Sequence, residues 1–418
     1  MLSDAKTIIS RSIAAVLPDE AVARALAGRA FSRPVVLVAI GKAAWRMAKA
    51  AHDALGGRVA RGVVITKYGH SEGQIGCLEI YEAGHPVPDE SGVAAARRAL
   101  ALVGGLTAED TVLFLVSGGG SALFELPAEG ADLADIADLT RQLLACGAQI
   151  AEINTMRKRL SAVKGGRFAL ACRPARVLSI VLSDVLGDPL DAIASGPAAP
   201  DTTTCEEAAR IVRAYGLQIP AHIAPLLEKE TPKTLDHVES VITGSVTALC
   251  AAAAQAAKAL GYEPAVLTTT LACEAREAGR RLSAIAREIE AGSAAYRRPC
   301  AVIMGGETVV RLRGRGKGGR NQEIALAAAK GIDGMEEVCV FSLGSDGTDG
   351  PTDAAGGIVT GETAARARAA GLSIDAALED NDAYPLLDAL DALIMTGPTG
   401  TNVNDVSVLL MGSRRCGA

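Results

Sequence analysis

The sequence predicts an α/β protein of two domains, each built on a mainly parallel sheet covered by helices. Three observations carry this. Short β-branched runs alternate with helical patterns almost throughout, the arrangement that buries parallel strands between two helical layers. Glycine-rich stretches recur directly after those runs, where strands of an open sheet hand over to helices. The chain has 418 residues, 49% of them hydrophobic, enough for two cores.

The elements follow in order. MLSDAKTIISRSIAAVL reads as an amphipathic helix capped by Ser3 or Asp4, without the apolar run or cleavage signal of a targeting segment. A first series of strands is expected at 34–40, 62–66, 111–116 and 176–182, and a second at 238–243, 263–268, 300–304, 338–343 and 392–395. Helices are expected near 43–55, 90–103, 131–145, 206–215, 245–260, 273–290 and 321–330. PAHIAPLLEKETPKTLDH, residues 220–237, carries three prolines and mixed charge between the two series. This places the domain boundary there, giving domains 1–235 and 236–418.

Composition removes whole classes of function. A net charge of −6 argues against nucleic-acid and anionic-membrane partners, which call for a basic face. Aromatics at 3% leave little for base stacking. No run approaches ~18 apolar residues, so no membrane span is expected. The nine cysteines are scattered singly and read as small buried hydrophobes in a reducing, cytoplasmic setting.

The glycine loops point to a phosphate-bearing ligand. PVVLVAI runs into Gly41 and Lys42; TVLFLV runs into Ser117, Gly118, Gly119, Gly120 and Ser121; RVLSIVL runs into a loop carrying Asp184 and Asp188. CAVIM, VCVFSL and ALIM end in similar loops. Glycine lets backbone N–H groups approach a ligand, and a following helix favours an anion. The 117–121 loop is the best such cradle. Familiar fingerprints fail on it: a dinucleotide pattern starting at Gly118 ends on Leu123, as does a nucleophile elbow around Ser121, and Lys42 lacks the glycine of a P-loop.

Charged residues in these loops suggest phosphoryl transfer. Lys42 stands at a helix start, where a cation is favourable only beside an anion. RLRGRGKGGRNQEIAL places Arg313, Arg315, Lys317 and Arg320 among four glycines before a helix, cations suited to a polyphosphate on a loop expected to be mobile when empty. Arg320 is the one expected to face substrate; Asn321, Gln322 and Glu323 either cap the helix or join the site. Residues 344–359 hold five glycines and three aspartates. Asp346, two residues past its strand, fits a general base, with Asp349 or Asp353 orienting it or a metal. Asp184 and Asp188 suit Mg²⁺ with retained waters. Asx turns account for some of these aspartates. His70 and His85 are expected in pocket or packing contacts.

Seven stretches, AIGKAAWRMAKA, EAGHPVPDESG, LVSGGGSALFELP, INTMRKRLSAVKGGRFA, VLSDVLGDPLDAIASGP, GGETVVRLRGRGKGGRNQEIAL and SLGSDGTDGPTDAAGG, together resemble the class II glycerate kinases, the glycerate 2-kinase family. They run in family order over nearly the whole chain. The C-terminal part resembles the family's MOFRL-type domain, although that literal string is absent. The resemblance implies a Rossmann-like N-terminal domain, a second α/β domain and an active site in the cleft between them. It implies ATP-dependent phosphorylation of D-glycerate at the 2-hydroxyl with Mg²⁺ or another divalent ion, and functional roles for Lys42, Arg320 and Asp346. The reading that follows has the 117–121 cradle and the 313–320 loop, with Lys317, holding ATP phosphates, and Asp184 with Asp188 holding the metal. A homodimer is compatible with it. Two alternatives are an NAD(P)H-dependent hydroxypyruvate reductase, whose cofactor fingerprint fails at Leu123, and a non-catalytic phospho-ligand binder, which would gain nothing from so many carboxylates beside its anion.

Overall fold

The computed structural model describes residues 1–292 and 295–413; Cys416, read from the sequence as a buried thiol, lies outside the described residues. The chain forms two compact units, Pro18–Thr243 and a second combining Met1–Leu17 with Gly244–Ala418.

The Pro18–Thr243 unit is built on β1 Val35–Ile40, β2 Val59–Lys67, β3 Leu78–Ala83, β4 Thr111–Val116, β5 Arg176–Leu182 and β6 Val238–Gly244. They lie in the order β3-β2-β1-β4-β5-β6, with β1, β2, β3, β4 and β5 paired in parallel. Every residue of β1 is buried because both faces are covered. Val36, Val38 and Ile40 join a core with Phe114, Phe124 and Phe168, while Val35, Leu37 and Ala39 face Ala44, Met47 and Ala48 of the helix Ala44–Leu55. That is why the strand reads as one apolar run. Helices Leu133–Ala145, Ile150–Leu160 and Cys205–Tyr215 form a further apolar cluster with Ile223, Leu226 and Leu227.

The other unit carries β7 Glu263–Leu271, β8 Cys300–Gly306, β9 Val338–Gly344, β10 Gly356–Thr360, β11 Leu393–Ile394 and β12 Asp405–Met411, in the order β11-β10-β9-β12-β8-β7. Here only β7 and β8 pair in parallel; β8–β12, β12–β9, β9–β10 and β10–β11 are antiparallel. The fold class is the expected α/β, and this second sheet is mixed. Three strands absent from the sequence reading, β3, β10 and β12, complete the two sheets.

The division of the chain differs from the expected one at both ends. The helix Leu2–Ala15 belongs with the second unit, where Tyr262 donates to Asp4 at 2.7 Å and Thr401 donates to the carbonyl of Val16 at 2.9 Å. The proline-rich 220–237 stretch packs into the first unit's helical cluster rather than linking domains, and β6 adds to the first sheet. Among the described residues, no helix is long and apolar enough to cross a membrane.

Candidate active site

Strand order reverses between β1 and β4, and ligands of open α/β sheets bind at such a reversal. The loops that follow these two strands hold Lys42 and residues 117–121. They are tied together: Ser117 N donates to Ile40 O at 3.0 Å, Lys42 N to Gly118 O at 2.9 Å and Ala43 N to Ser117 Oγ at 3.1 Å. Gly41 has φ +113°, and a Cβ there would meet Ser117 Oγ at 2.2 Å. Only glycine permits so close an approach. A Cβ on Gly119 would lie 3.1 Å from both Lys42 Cγ and the His85 ring, and one on Gly118 would meet Asp184 Oδ2 at 2.2 Å. Lys42, His85 and Asp184 therefore converge on the expected cradle. Burial, then the charges of Lys42, Lys67 and His70, hold the His85 imidazole below its ordinary pKa.

Two details depart from the sequence reading. The helix after the cradle is a single turn, Gly120–Leu123, so its dipole adds little. Ser121 Oγ is hydrogen-bonded to Ser195 Oγ at 2.8 Å, and Ser195 reaches Asn154 at 3.3 Å, which fixes the end of the cradle.

The proposed metal ligands have one supporting feature. Asp188, at φ 55°, keeps a buried Oδ1 without a hydrogen-bond partner, and Asp184 lies against the cradle. Such an orphaned carboxylate oxygen is what a cation would satisfy. No group of three or more His, Cys, Asp or Glu that could hold a metal occurs among the described residues; a pair of carboxylates would suit an ion such as Mg²⁺, which takes one or two carboxylates along with phosphate oxygens and waters.

In the other unit, Arg320 opens the helix Arg320–Gly331. Its Nε and Nη2 fork onto Asp405 at 2.5 and 2.9 Å, and Nη1 reaches Glu307 at 3.2 Å. A guanidinium has five N–H donors, so two remain for an anion. The antiparallel register sets Asp405 beside Gly344 of β9 and Gly306 of β8. Asp346 lies two residues past the end of β9; its Oδ1 accepts from Thr348 N at 3.0 Å, an Asx turn that orients the carboxylate.

Asp349 and Asp353 separate. Asp353 accepts from Tyr384 OH at 2.8 Å, and Lys317 Nζ stands 4.1 Å from the same ring. Lys317, expected on the donor phosphates, is thus engaged with an aromatic face. The loop before Arg320 is pinned, with Arg313 N and Gly314 N donating to Asn381 Oδ1 at 2.7 and 3.0 Å and Lys317 N to Asp382 at 2.8 Å. Its glycines serve close packing: a Cβ at Gly319 would meet the Asp349 carboxyl carbon at 2.2 Å. Asn321 and Gln322 are buried struts, and Glu323 pairs with Arg276 at 3.0 Å.

Asp349 caps the helix, accepting from Asn321 N at 3.2 Å and Gln322 N at 2.8 Å. Burial pushes its carboxyl up to about 7, against those two bonds and Arg320, while Asp405 adds to the rise. The native state thus holds this proton more tightly than the unfolded chain. The group's stability contribution is full below about pH 4 and is lost as pH rises through about 7. Asp349→Asn should lack that loss, which reaches about 1.4 kcal/mol per pH unit at its steepest. Urea unfolding of both proteins from pH 4.5 to 7.5 measures it; parallel curves would show Asp349 ionised throughout.

Comparison with known proteins bears on this geometry. A family model described as a domain of unknown function, DUF4147, matches residues 4–228, and the MOFRL family matches residues 300–405. A D-glycerate 2-kinase of Thermotoga maritima is 54% identical over 404 residues, covering 97% of each chain. The chain belongs to the glycerate 2-kinase family. A glycerate 2-kinase of Pyrococcus horikoshii is 42% identical over 91% of this chain and 88% of its own. The crystal structure of a glycerate kinase from Thermotoga maritima superposes with a TM-score of 0.94 at 52% identity, covering 98% of this chain and 99% of that one.

Within this glycerate 2-kinase fold, the structure groups Lys42 with the 117–121 loop and Asp184, and Arg320 with Asp346's strand end. Asp405 and Glu307, the carboxylates on Arg320, were missed as site residues. Asp405 lies 85 residues from its partner in sequence; only the Arg320 loop's need for a counter-charge could have signalled it.

Proposed function

We propose that this chain transfers the γ-phosphoryl group of ATP to the 2-hydroxyl of D-glycerate, giving 2-phosphoglycerate and ADP. The observation that carries the reading is the junction of Lys42 with the 117–121 loop at the β1/β4 reversal, a cation held against a glycine cradle. Roles follow unit by unit. The cradle N–H groups and Lys42 take phosphate oxygens, and Asp184 with Asp188 would hold Mg²⁺, which when bound neutralises phosphate charge. In the other unit, the two remaining N–H groups of Arg320 face an anionic oxygen of phosphate or of the glycerate carboxylate. Asp346 Oδ2 takes the proton of the 2-hydroxyl as that oxygen bonds to phosphorus and the bond to ADP breaks. The relatives named glycerate 2-kinases support this choice of acceptor.

The test is incubation of the purified protein with D-glycerate, ATP and MgCl₂, the product read by phosphorus NMR. The expected signal is 2-phosphoglycerate with ADP. A 3-phosphoglycerate signal would overturn the regiochemistry. No phosphorylated product, with NADH oxidised on hydroxypyruvate in parallel, would replace the kinase reading by a reductase.

A further inference from the structure

Beside the 117–121 loop, the Pro18–Thr243 unit holds a cavity of about 500 Å³ that the roles above do not use. Gly119, Ser121 and His85 border it on the cradle side. One wall is the helix Leu133–Ala145, which has two apolar stripes. Leu139 and Leu143 enter the core; Leu133, Ala137 and Leu144, spaced by four and seven residues, line the cavity, and Ile136 touches both. Pro86, Val87 and Pro88 also line it.

Two of these residues are conspicuous by exposure. Val87 is 67% exposed and Leu144 63%. Single exposed aliphatics are ordinary, but these two border one concavity, whose lining also carries a few polar side chains. Arg157 donates from Nε to Thr140 Oγ1 at 3.1 Å, and both residues line the space. Lys164 and Glu125, also in the lining, form a buried ion pair whose side chains are each 1% exposed. A cavity of a few hundred cubic ångströms, aliphatic on its walls with a few placed polar groups, is built for an amphiphilic small molecule. A three-carbon hydroxy acid would fill little of it and has no apolar face to offer Val87 or Leu144.

We infer that this cavity takes the purine nucleoside of the phosphoryl donor, the base against Val87 and the Leu133, Ala137 and Leu144 stripe, its phosphates leading past Ser121 and Gly119 onto the cradle. The inference rests on the kinase reading and adds where the donor's identity is read. The base is recognised mainly by shape and apolar contact, and the ribose lies toward Thr140 and Arg157.

The test fills or strips the cavity without touching the cradle. Ala137→Phe places a ring in the base site, and Leu144→Ser removes one wall at an exposed position where folding is undemanding. ADP affinity is measured by calorimetry, with the KM for ATP and for D-glycerate alongside. Both variants are expected to weaken ADP binding and raise the KM for ATP by about tenfold or more, with the KM for D-glycerate changed less than twofold. Unchanged ADP affinity in both variants, or a rise confined to the KM for D-glycerate, would overturn the assignment while wild-type turnover still upheld the kinase reading. A wild-type protein that neither binds ADP nor phosphorylates glycerate would sink both.

Discussion

Asp346→Asn is expected to lower kcat by about 10²–10⁴-fold, the usual worth of a positioned general base, with the thermal midpoint nearly unchanged. The side-chain oxygen that accepts from Thr348 N at 3.0 Å persists in asparagine, so the Asx turn survives and only basicity is lost. The backbone is held independently, since Thr399 N donates to Asp346 O at 3.2 Å and Gly347 N to Gly344 O at 3.2 Å. KM for ATP should stay close to wild type, because no donor contact is assigned to this residue. Asp346→Ala separates the two functions of the side chain: it loses the turn as well and should also lose stability, by about 1 kcal/mol for one hydrogen bond. Steady-state kinetics with thermal unfolding on the three proteins decide the matter. Near-normal kcat in Asp346→Asn would remove Asp346 from the role of base.

How much of this was legible in the sequence depended on whether neighbours in space followed a simple chain rule. In the first sheet they did. Parallel βα alternation puts every strand end on one edge, so the sequence alone sets the glycines after β1 and β4 side by side, as the bonds between the two loops do. In the second sheet the rule broke. β12, DVSVLLM, runs antiparallel between β8 and β9, so the start of a strand, Asp405, arrives among strand ends. An expectation of parallel strands looks for functional residues after strands and passes over one that opens a strand. β10 was hidden for another reason: it begins with two glycines, because a Cβ at Gly356 would meet Ser342 O at 1.9 Å, and glycine reads as loop. The same ambiguity governed the 313–320 stretch, where glycines that suggested mobility instead let the backbone lie against Asp380, Asn381 and Asp382. Lys317 and Asp353 carried the right charges for phosphate and metal chemistry, yet both turn to Tyr384. Charge type is visible in a sequence; the direction in which a side chain is spent is not.

The second large effect is expected at the Arg320–Asp405 pair. Asp405 is buried, and burial pushes its carboxyl up while Arg320 pulls it down; the fork of two bonds at 2.5 and 2.9 Å is the geometry of an ion pair. Asp405→Asn breaks the fork, since an amide nitrogen would face a guanidinium N–H. Arg320 is one-third exposed, so the cost in stability should be roughly 1–3 kcal/mol, between a surface and a fully buried pair. The functional cost is expected to be larger than stability alone explains, with kcat/KM falling about 10²-fold, because the two free N–H groups of Arg320 lose their direction while Glu307 still draws the guanidinium aside. Arg320→Lys provides the discriminating comparison. An ammonium keeps the charge beside Asp405 and most of the stability, but it cannot hold a carboxylate with one edge and an anion with the other, so its turnover should fall as far as that of Asp405→Asn. If Asp405→Asn loses stability and keeps kcat/KM, the pair only anchors the helix Arg320–Gly331, and the anion of the substrate is met elsewhere. If both variants lose turnover together while only Asp405→Asn loses stability, orientation of the guanidinium, and not charge, is what the buried aspartate supplies.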